Sequence, residues 1–235
     1  IRAAMLMPAL EKALESAQMV SCMNNQKQLG TALHLYANDW DGALPGCVYV
    51  HNGRTSYGSG TYYGNFVLQL APYVGVPLPD PPDMYRMDKS RVGPFECPEG
   101  LRGYSRRKKD YVPYHCYGYP WSVGTGCGSP RTLTDIRMPG SWFYLMDAVG
   151  DGIFGLTDMK PNNLELVDFK HMSGVGVPTE HTRKYFSWGG RANALHFDSH
   201  VQAYTWDEMG YNVSWRAYPY NKLHINNAEH KGVYF

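Results

Sequence analysis

The chain has 235 residues and a net charge of +1, from 22 Lys and Arg against 21 Asp and Glu, and only 18% of its residues are charged. A balance this close to zero excludes the basic footprint of a nucleic-acid binder and the polybasic patch of a membrane-surface protein. Hydrophobic residues at 43% suffice for a core and exclude global disorder, while 25 Gly and 16 Pro place much of the chain in turns and loops. The sequence contains no run of about 20 apolar residues, so no membrane span lies within it. The five cysteines are Cys22, Cys47, Cys97, Cys116 and Cys127. None forms a C-x-x-C pair, which argues against a zinc ribbon or a thioredoxin-like motif. In so loop-rich a chain they point to an oxidising compartment, with at most two disulfides and one thiol left over.

Residues 1–40 contain one proline, Pro8, and one glycine, Gly30, and read as a single long helix; residues 41–235 read as a globular β-rich domain. Cys22, Gln26, Leu29, Leu33, Tyr36 and Trp40 recur at steps of three and four, which places them on one helical face. Leu6, Leu10, Ala13, Ala17 and Val20 continue the stripe upstream. Forty helical residues span about 60 Å, longer than a small domain is wide, so part of the helix should protrude. The helix is expected over about residues 4 to 38 with a bend near Pro8. It should stop at Asn38–Asp41, where Asp41-Gly42 and then Pro45 supply turn chemistry. Beyond residue 42 the best strand candidates are Cys47–Val50, Tyr111–Tyr119, Trp142–Asp147, Ala192–Phe197 and Val201–Trp206. Asn65–Tyr73 reads as a short helix closed by Pro72 and Gly75, and Leu78–Pro98 as a long surface loop. The basic run Arg106–Lys109 reads as solvated loop. One helix followed by short strands without regular intervening helices predicts an α+β fold, with an antiparallel sheet packed on the helix's C-terminal half.

Few residues carry a chemical pattern. His196, Asp198 and His200 form H-x-D-x-H, which on a straight strand would place two imidazoles and a carboxylate on one face, a zinc set. The competing reading is a β-hairpin with Asp198-Ser199 as a two-residue turn, pairing Phe197 with His200 and pointing His196 to the opposite side. The hairpin is preferred, and it puts Ser199 where φ > 0 is wanted. Asn38–Gly42 resembles the start of a calcium loop, but Val50 stands where the bidentate Glu would be. No nucleophile elbow, phosphate loop, dinucleotide fingerprint or H-E-x-x-H is present, and no enzymatic activity is expected.

The string AAMLMPALEKALESAQMVSCMNNQKQLGTALHLYANDWDGALP resembles the prepilin-like proteins of the type II secretion and type IV pilus superfamily. It is closest to the bacterial group with a prepilin cleavage and methylation signal and a pseudopilin-like domain, in which an apolar segment runs into AAMLLPALxKAR and then SCxNNLKQLGLALxxYxxDxDGxLP. Further segments resemble that group in order: Tyr63–Gly75, Phe95–Pro98, Tyr114–Tyr119, Leu133–Asp147, and Gly189–Val201 against HxGGANVLFxDGHV. Trp188 stands where that closing signature has its first His, Ser199 where it has Gly, and Arg2 within what should be apolar sequence.

The resemblance implies a pilin-like fold and a non-enzymatic structural subunit of a pseudopilus or pilus-like fibre. Its partners would be other pilin-like subunits, met through the N-terminal helix, and the secretion or pilus machinery. Ile1–Met7 would be the stub of an upstream membrane segment, which places the protein at the bacterial inner membrane facing the periplasm, or in an extracellular fibre. Cys22 and Cys97 both lie in matched segments, and a disulfide between them would tie the loop region to the helix. Cys116–Cys127 is a second, shorter possible staple, and five buried or free thiols are the competing reading. Some major pseudopilins hold calcium in a C-terminal loop, which makes Asp147 and Asp151, completed by Asp158 or Asp168, the calcium candidates here. Clustered aspartates in a Gly-rich loop are more often plain turn formers, so no cofactor is expected. A second function is a surface-displayed binding module for carbohydrate, using Tyr57, Tyr62 and Tyr63 or Trp215, Tyr218 and Tyr220. A metal-dependent hydrolase built on His196, Asp198 and His200 ranks last.

Overall fold

The computed structural model describes residues 2–45, 50–51, 54–55, 65–80, 87, 93–98, 117–118, 132–136, 139–141, 143–147, 169, 171–172, 190–205 and 208. Helix α1 spans Arg2–Asp39 without interruption, with Pro8 inside it. Its 38 residues extend about 57 Å. The helix ends where Asp41 (φ 51°) and Gly42 (φ 81°) turn left-handed, and the Gly42 N–H donates back to the Ala37 carbonyl at 2.6 Å. That closure satisfies a terminal carbonyl that would otherwise lack a donor.

The two halves of α1 live in different surroundings. Met7, Leu10, Leu14 and Val20 are 61%, 71%, 52% and 51% exposed. From Cys22 onward one face is core: Cys22, Gln26, Leu29, Leu33 and Tyr36 are all buried. Trp40 departs from the expected stripe. The helix has ended by Asp39, so Trp40 lies 59% exposed, with its ring 5.8 Å from that of Tyr36 between centroids.

Helix α2 (Asn65–Leu70) runs into a 3-10 turn over Ala71–Val74, and Gly75 closes it at φ 70°. Phe66, Val67, Leu70 and Ala71 are buried beside α1, and Phe66 meets Phe95 edge-on at 6.2 Å. A two-stranded antiparallel ribbon pairs β1 (Val50–His51) with β2 (Arg54–Thr55). The main sheet is antiparallel throughout, in the order β3 (Tyr117–Gly118), β4 (Phe143–Asp147), β5 (Arg191–His196), β6 (Val201–Thr205). The register aligns Leu145 with Leu195 and Leu195 with Val201. The C-terminal half of α1 lies across β5 and β6, so the protein has the α+β, pilin-like architecture of one long helix on an antiparallel sheet.

Gly30 sets how closely helix and sheet approach. A Cβ there would lie 2.9 Å from Leu195 Cδ1 and 3.0 Å from Ser199 Oγ, so only glycine lets the β5–β6 hairpin sit on the helix at this spacing. The hairpin itself differs from the two-residue turn expected at Asp198-Ser199. The His196 N–H donates to His200 O at 2.9 Å and the Ser199 N–H to His196 O at 3.0 Å, so the connection is three residues, Phe197-Asp198-Ser199. Ser199 takes the left-handed position (φ 68°) that closes such a loop. The extra residue faces His196 with His200, not Phe197, and the two imidazoles stack at 3.8 Å. Phe197 is released to the core, 5.3 Å from Tyr144.

Candidate functional site

One turn of α1 carries three side chains that fasten the helix to the rest of the protein. Positions 22, 25 and 26 share a face because three and four residues make one turn. Cys22 forms a disulfide with Cys97, with an S–S distance of 2.03 Å and a sequence separation of 75. The Asn25 amide donates to the Glu96 carbonyl at 2.7 Å, one residue away from that link. Gln26 Nε2 donates to Asp147 Oδ1 at 3.3 Å and to the Asn193 carbonyl at 3.2 Å, reaching β4 and β5 together. A closed loop of this length removes enough unfolded-chain entropy to contribute about 4.5 kcal/mol in the chain-entropy account.

Asp147 ends β4 and is fully buried. A carboxylate in such a place is tolerated only with donors around it. Three are in reach: Gln26 Nε2, the Asn193 N–H at 2.7 Å, and His171 Nε2 at 3.0 Å. His171, also fully buried, is fixed by a bridge to β5 in which its N–H donates to Arg191 O at 3.1 Å and the Arg191 N–H donates to His171 O at 2.7 Å. Its Nε2 lies 3.8 Å from Cys97 Sγ. Cys22, Cys97, His171 and Asp147 thus form one polar island between helix and sheet. Among the described residues, Cys22, Cys97 and His171 are the group of metal-binding residue types whose ligand atoms converge, all within 4.8 Å of one another.

The zinc set read in the sequence is held differently. His196 Nε2 pairs with the Tyr204 hydroxyl at 3.0 Å, and Phe143 meets the His196 ring edge-on at 4.6 Å. His200 Nδ1 lies 2.6 Å from Asp198 Oδ1, which also accepts the His200 N–H at 3.1 Å. Burial raises the Asp198 carboxyl, but the two hydrogen bonds from His200 and the nearby imidazoles outweigh it and leave the group below its ordinary value. The Tyr204 hydroxyl is pushed up, by burial first and then by the charge of Glu208.

The calcium candidate Asp147 faces this buried island. Asp151, Asp158 and Asp168 lie outside the described residues, as do Cys47, Cys116 and Cys127 and the aromatic clusters Tyr57, Tyr62, Tyr63, Trp215, Tyr218 and Tyr220. Sequence reasoning missed the roles of Asn25, Gln26, His171 and Asn193. Gln26 left one signal, as a polar side chain inside an otherwise apolar stripe. His171 left none, because its partners come from segments 20 or more residues away in sequence.

No helix among the described residues is long and apolar enough to cross a membrane. A long helix whose second half packs on an antiparallel sheet while its first half exposes large apolar side chains defines a pilin-like α+β fold. Residues 11–77 match the model of a family described as "Protein of unknown function (DUF1559)", a family typical of prepilin-like bacterial proteins. No curated protein and no solved structure matches the chain.

Proposed function

We propose that this protein is a non-enzymatic structural subunit of a pseudopilus-like fibre of the type II secretion kind, anchored in the bacterial inner membrane before assembly and displayed on the periplasmic or extracellular side. The observation that carries the reading is the division of α1. Met7, Leu10, Leu14 and Val20 expose large apolar side chains along about two helical turns each side of Leu14, while one face of the same helix is core from Cys22 onward. Apolar side chains left in water at this density are unfavourable for an isolated chain and fit a helix that other helices cover. Copies of one chain joined by such a surface pack heterologously, and heterologous packing that does not close builds a filament. The similarity of residues 11–77 to a family typical of prepilin-like proteins supports the same reading.

The test replaces Leu10 and Leu14 together with Asp in the full chain produced in its own cells. Both side chains are exposed, so the variant should keep the midpoint of thermal unfolding within about 2 °C, as surface changes do. Its recovery in the sheared, high-molecular-mass fraction should fall at least tenfold, on the order of a 1.4 kcal/mol loss at each contact. Assembly at the unmodified level by a folded Leu10→Asp/Leu14→Asp protein would refute the proposal.

A further inference from the structure

The disulfide is surrounded by more ligand chemistry than a covalent link needs. Cys22, Cys97, His171 and Asp147 are each fully buried, from four separate segments of the chain. His171 Nε2 lies 3.8 Å from Cys97 Sγ and 3.0 Å from Asp147 Oδ2. In a tetrahedral zinc site, bond lengths of about 2.3 Å to sulfur and about 2.0 Å to nitrogen or oxygen place neighbouring S and N atoms about 3.6 Å apart and N and O atoms about 3.3 Å apart. Both spacings are met within a few tenths of an ångström in the oxidised protein. The two sulfurs are bonded to each other and would need to stand about 3.8 Å apart around zinc. Breaking the S–S bond permits that separation.

We infer that reduction of the Cys22–Cys97 bond converts this island into a zinc(II) site, with the two thiolates and His171 Nε2 as its ligands and Asp147 as a carboxylate beside them. Two electrons from a phosphine or thiol reductant break the S–S bond, and each sulfur takes up one proton. On binding, both thiols lose that proton to solvent, and the His171 ring proton leaves Nε2, where it bonded Asp147, for Nδ1, so that Nε2 presents its lone pair. Soft thiolate with imidazole selects zinc over calcium or magnesium. Gln26 Nε2, which donates to Asp147 Oδ1 at 3.3 Å, keeps the carboxylate oriented in either state. Helix α1 is therefore fastened to the Gly93–Cys97 segment in two mutually exclusive ways, by a covalent bond under oxidising conditions and by a metal under reducing ones. This inference does not depend on how the chain assembles.

The experiment uses the full chain carrying Cys47→Ser, Cys116→Ser and Cys127→Ser, so that no other thiol competes. It is reduced with a water-soluble phosphine, desalted without oxygen and titrated with zinc against a chromophoric chelator. One zinc per reduced chain and none per oxidised chain is expected. His171→Gln and Cys22→Ser should each weaken binding by at least about 100-fold, the upper end of what loss of even an outer-shell partner costs. Cobalt(II) in place of zinc should give a thiolate charge-transfer band that Cys22→Ser diminishes. If reduction loosens the fold, zinc should restore the helical circular dichroism. Absence of zinc binding by the reduced chain, binding by His171→Gln at full strength, or a reduced chain that zinc neither binds nor refolds overturns the inference.

Discussion

Gly30 and Ser199 should be energetically coupled across the helix–hairpin contact, and a double-mutant cycle measures it. Replacing Gly30 with Ala removes a glycine from a helix interior, which by itself favours folding by about 1 kcal/mol. The new methyl would lie 2.9 Å from Leu195 Cδ1, 3.0 Å from Ser199 Oγ and 3.2 Å from Ser199 Cβ. Overpacking of this kind costs about 1–3 kcal/mol, so Gly30→Ala should destabilise by up to about 2 kcal/mol. Ser199→Gly relieves a side chain held at φ 68° and deletes a buried hydroxyl that has no hydrogen-bond partner among the described residues. It should stabilise by about 0.5–1 kcal/mol. In the Ser199→Gly background two of the three close atoms are gone, and only the flexible end of Leu195 must yield. Gly30→Ala should then be neutral or stabilising, giving a coupling of about 1 kcal/mol. Urea denaturation of the four proteins by circular dichroism reads each difference from the midpoint and slope. Additivity within about 0.3 kcal/mol, or stabilisation by Gly30→Ala alone, would refute the proposed close packing.

Asp147→Asn leaves His171 buried beside a neutral amide, and the amide NH2 must face either Gln26 Nε2 or the Asn193 N–H and His171 Nε2, because these donors meet different carboxylate oxygens. A loss of about 3 kcal/mol in chemical denaturation is expected, as for other broken buried pairs, and a loss under 1 kcal/mol would show that the carboxylate is not the centre of the island. Asp198 supplies a pH dependence. Its folded value is depressed, so its contribution is complete above the ordinary carboxylate range and disappears as pH falls through the folded value. Asp198→Asn should therefore lower the thermal midpoint at pH 7 and leave it unchanged near pH 2; an equal effect at both would assign the loss to turn geometry and not to charge.

Periodicity made the second half of α1 legible, because a single helical face repeats over five turns and any slip would bury Asn24 or Lys27. It could not say where that face stops, and Trp40 was misplaced by one turn for this reason. The β5–β6 hairpin was legible from two strand-like runs around Asp198, but its register was not. Two- and three-residue loops both suit Asp-Ser, and the choice moves every side chain to the other partner. The difference decided whether His196 and His200 are apart or stacked. The polar island was the least legible part. Asp147 reads as the end of a strand leading to the Gly150-Asp151 loop, whereas its spatial neighbours are Gln26, His171 and Asn193. Local pattern carries helix and turn; a buried charge is explained only by what distant segments bring to it.

The Cys22–Cys97 link also fixes how the protein bears load. A pull applied between the exposed start of α1 and the C-terminal part of the chain passes through the bond between the two sulfurs and bypasses everything between them. The intervening stretch, with a sequence separation of 75, holds α2, β1 and β2. Extended, it would release about 250 Å of chain. With the bond intact that length is unavailable at any force short of rupture, whereas the thiol form can pay it out as a long tether.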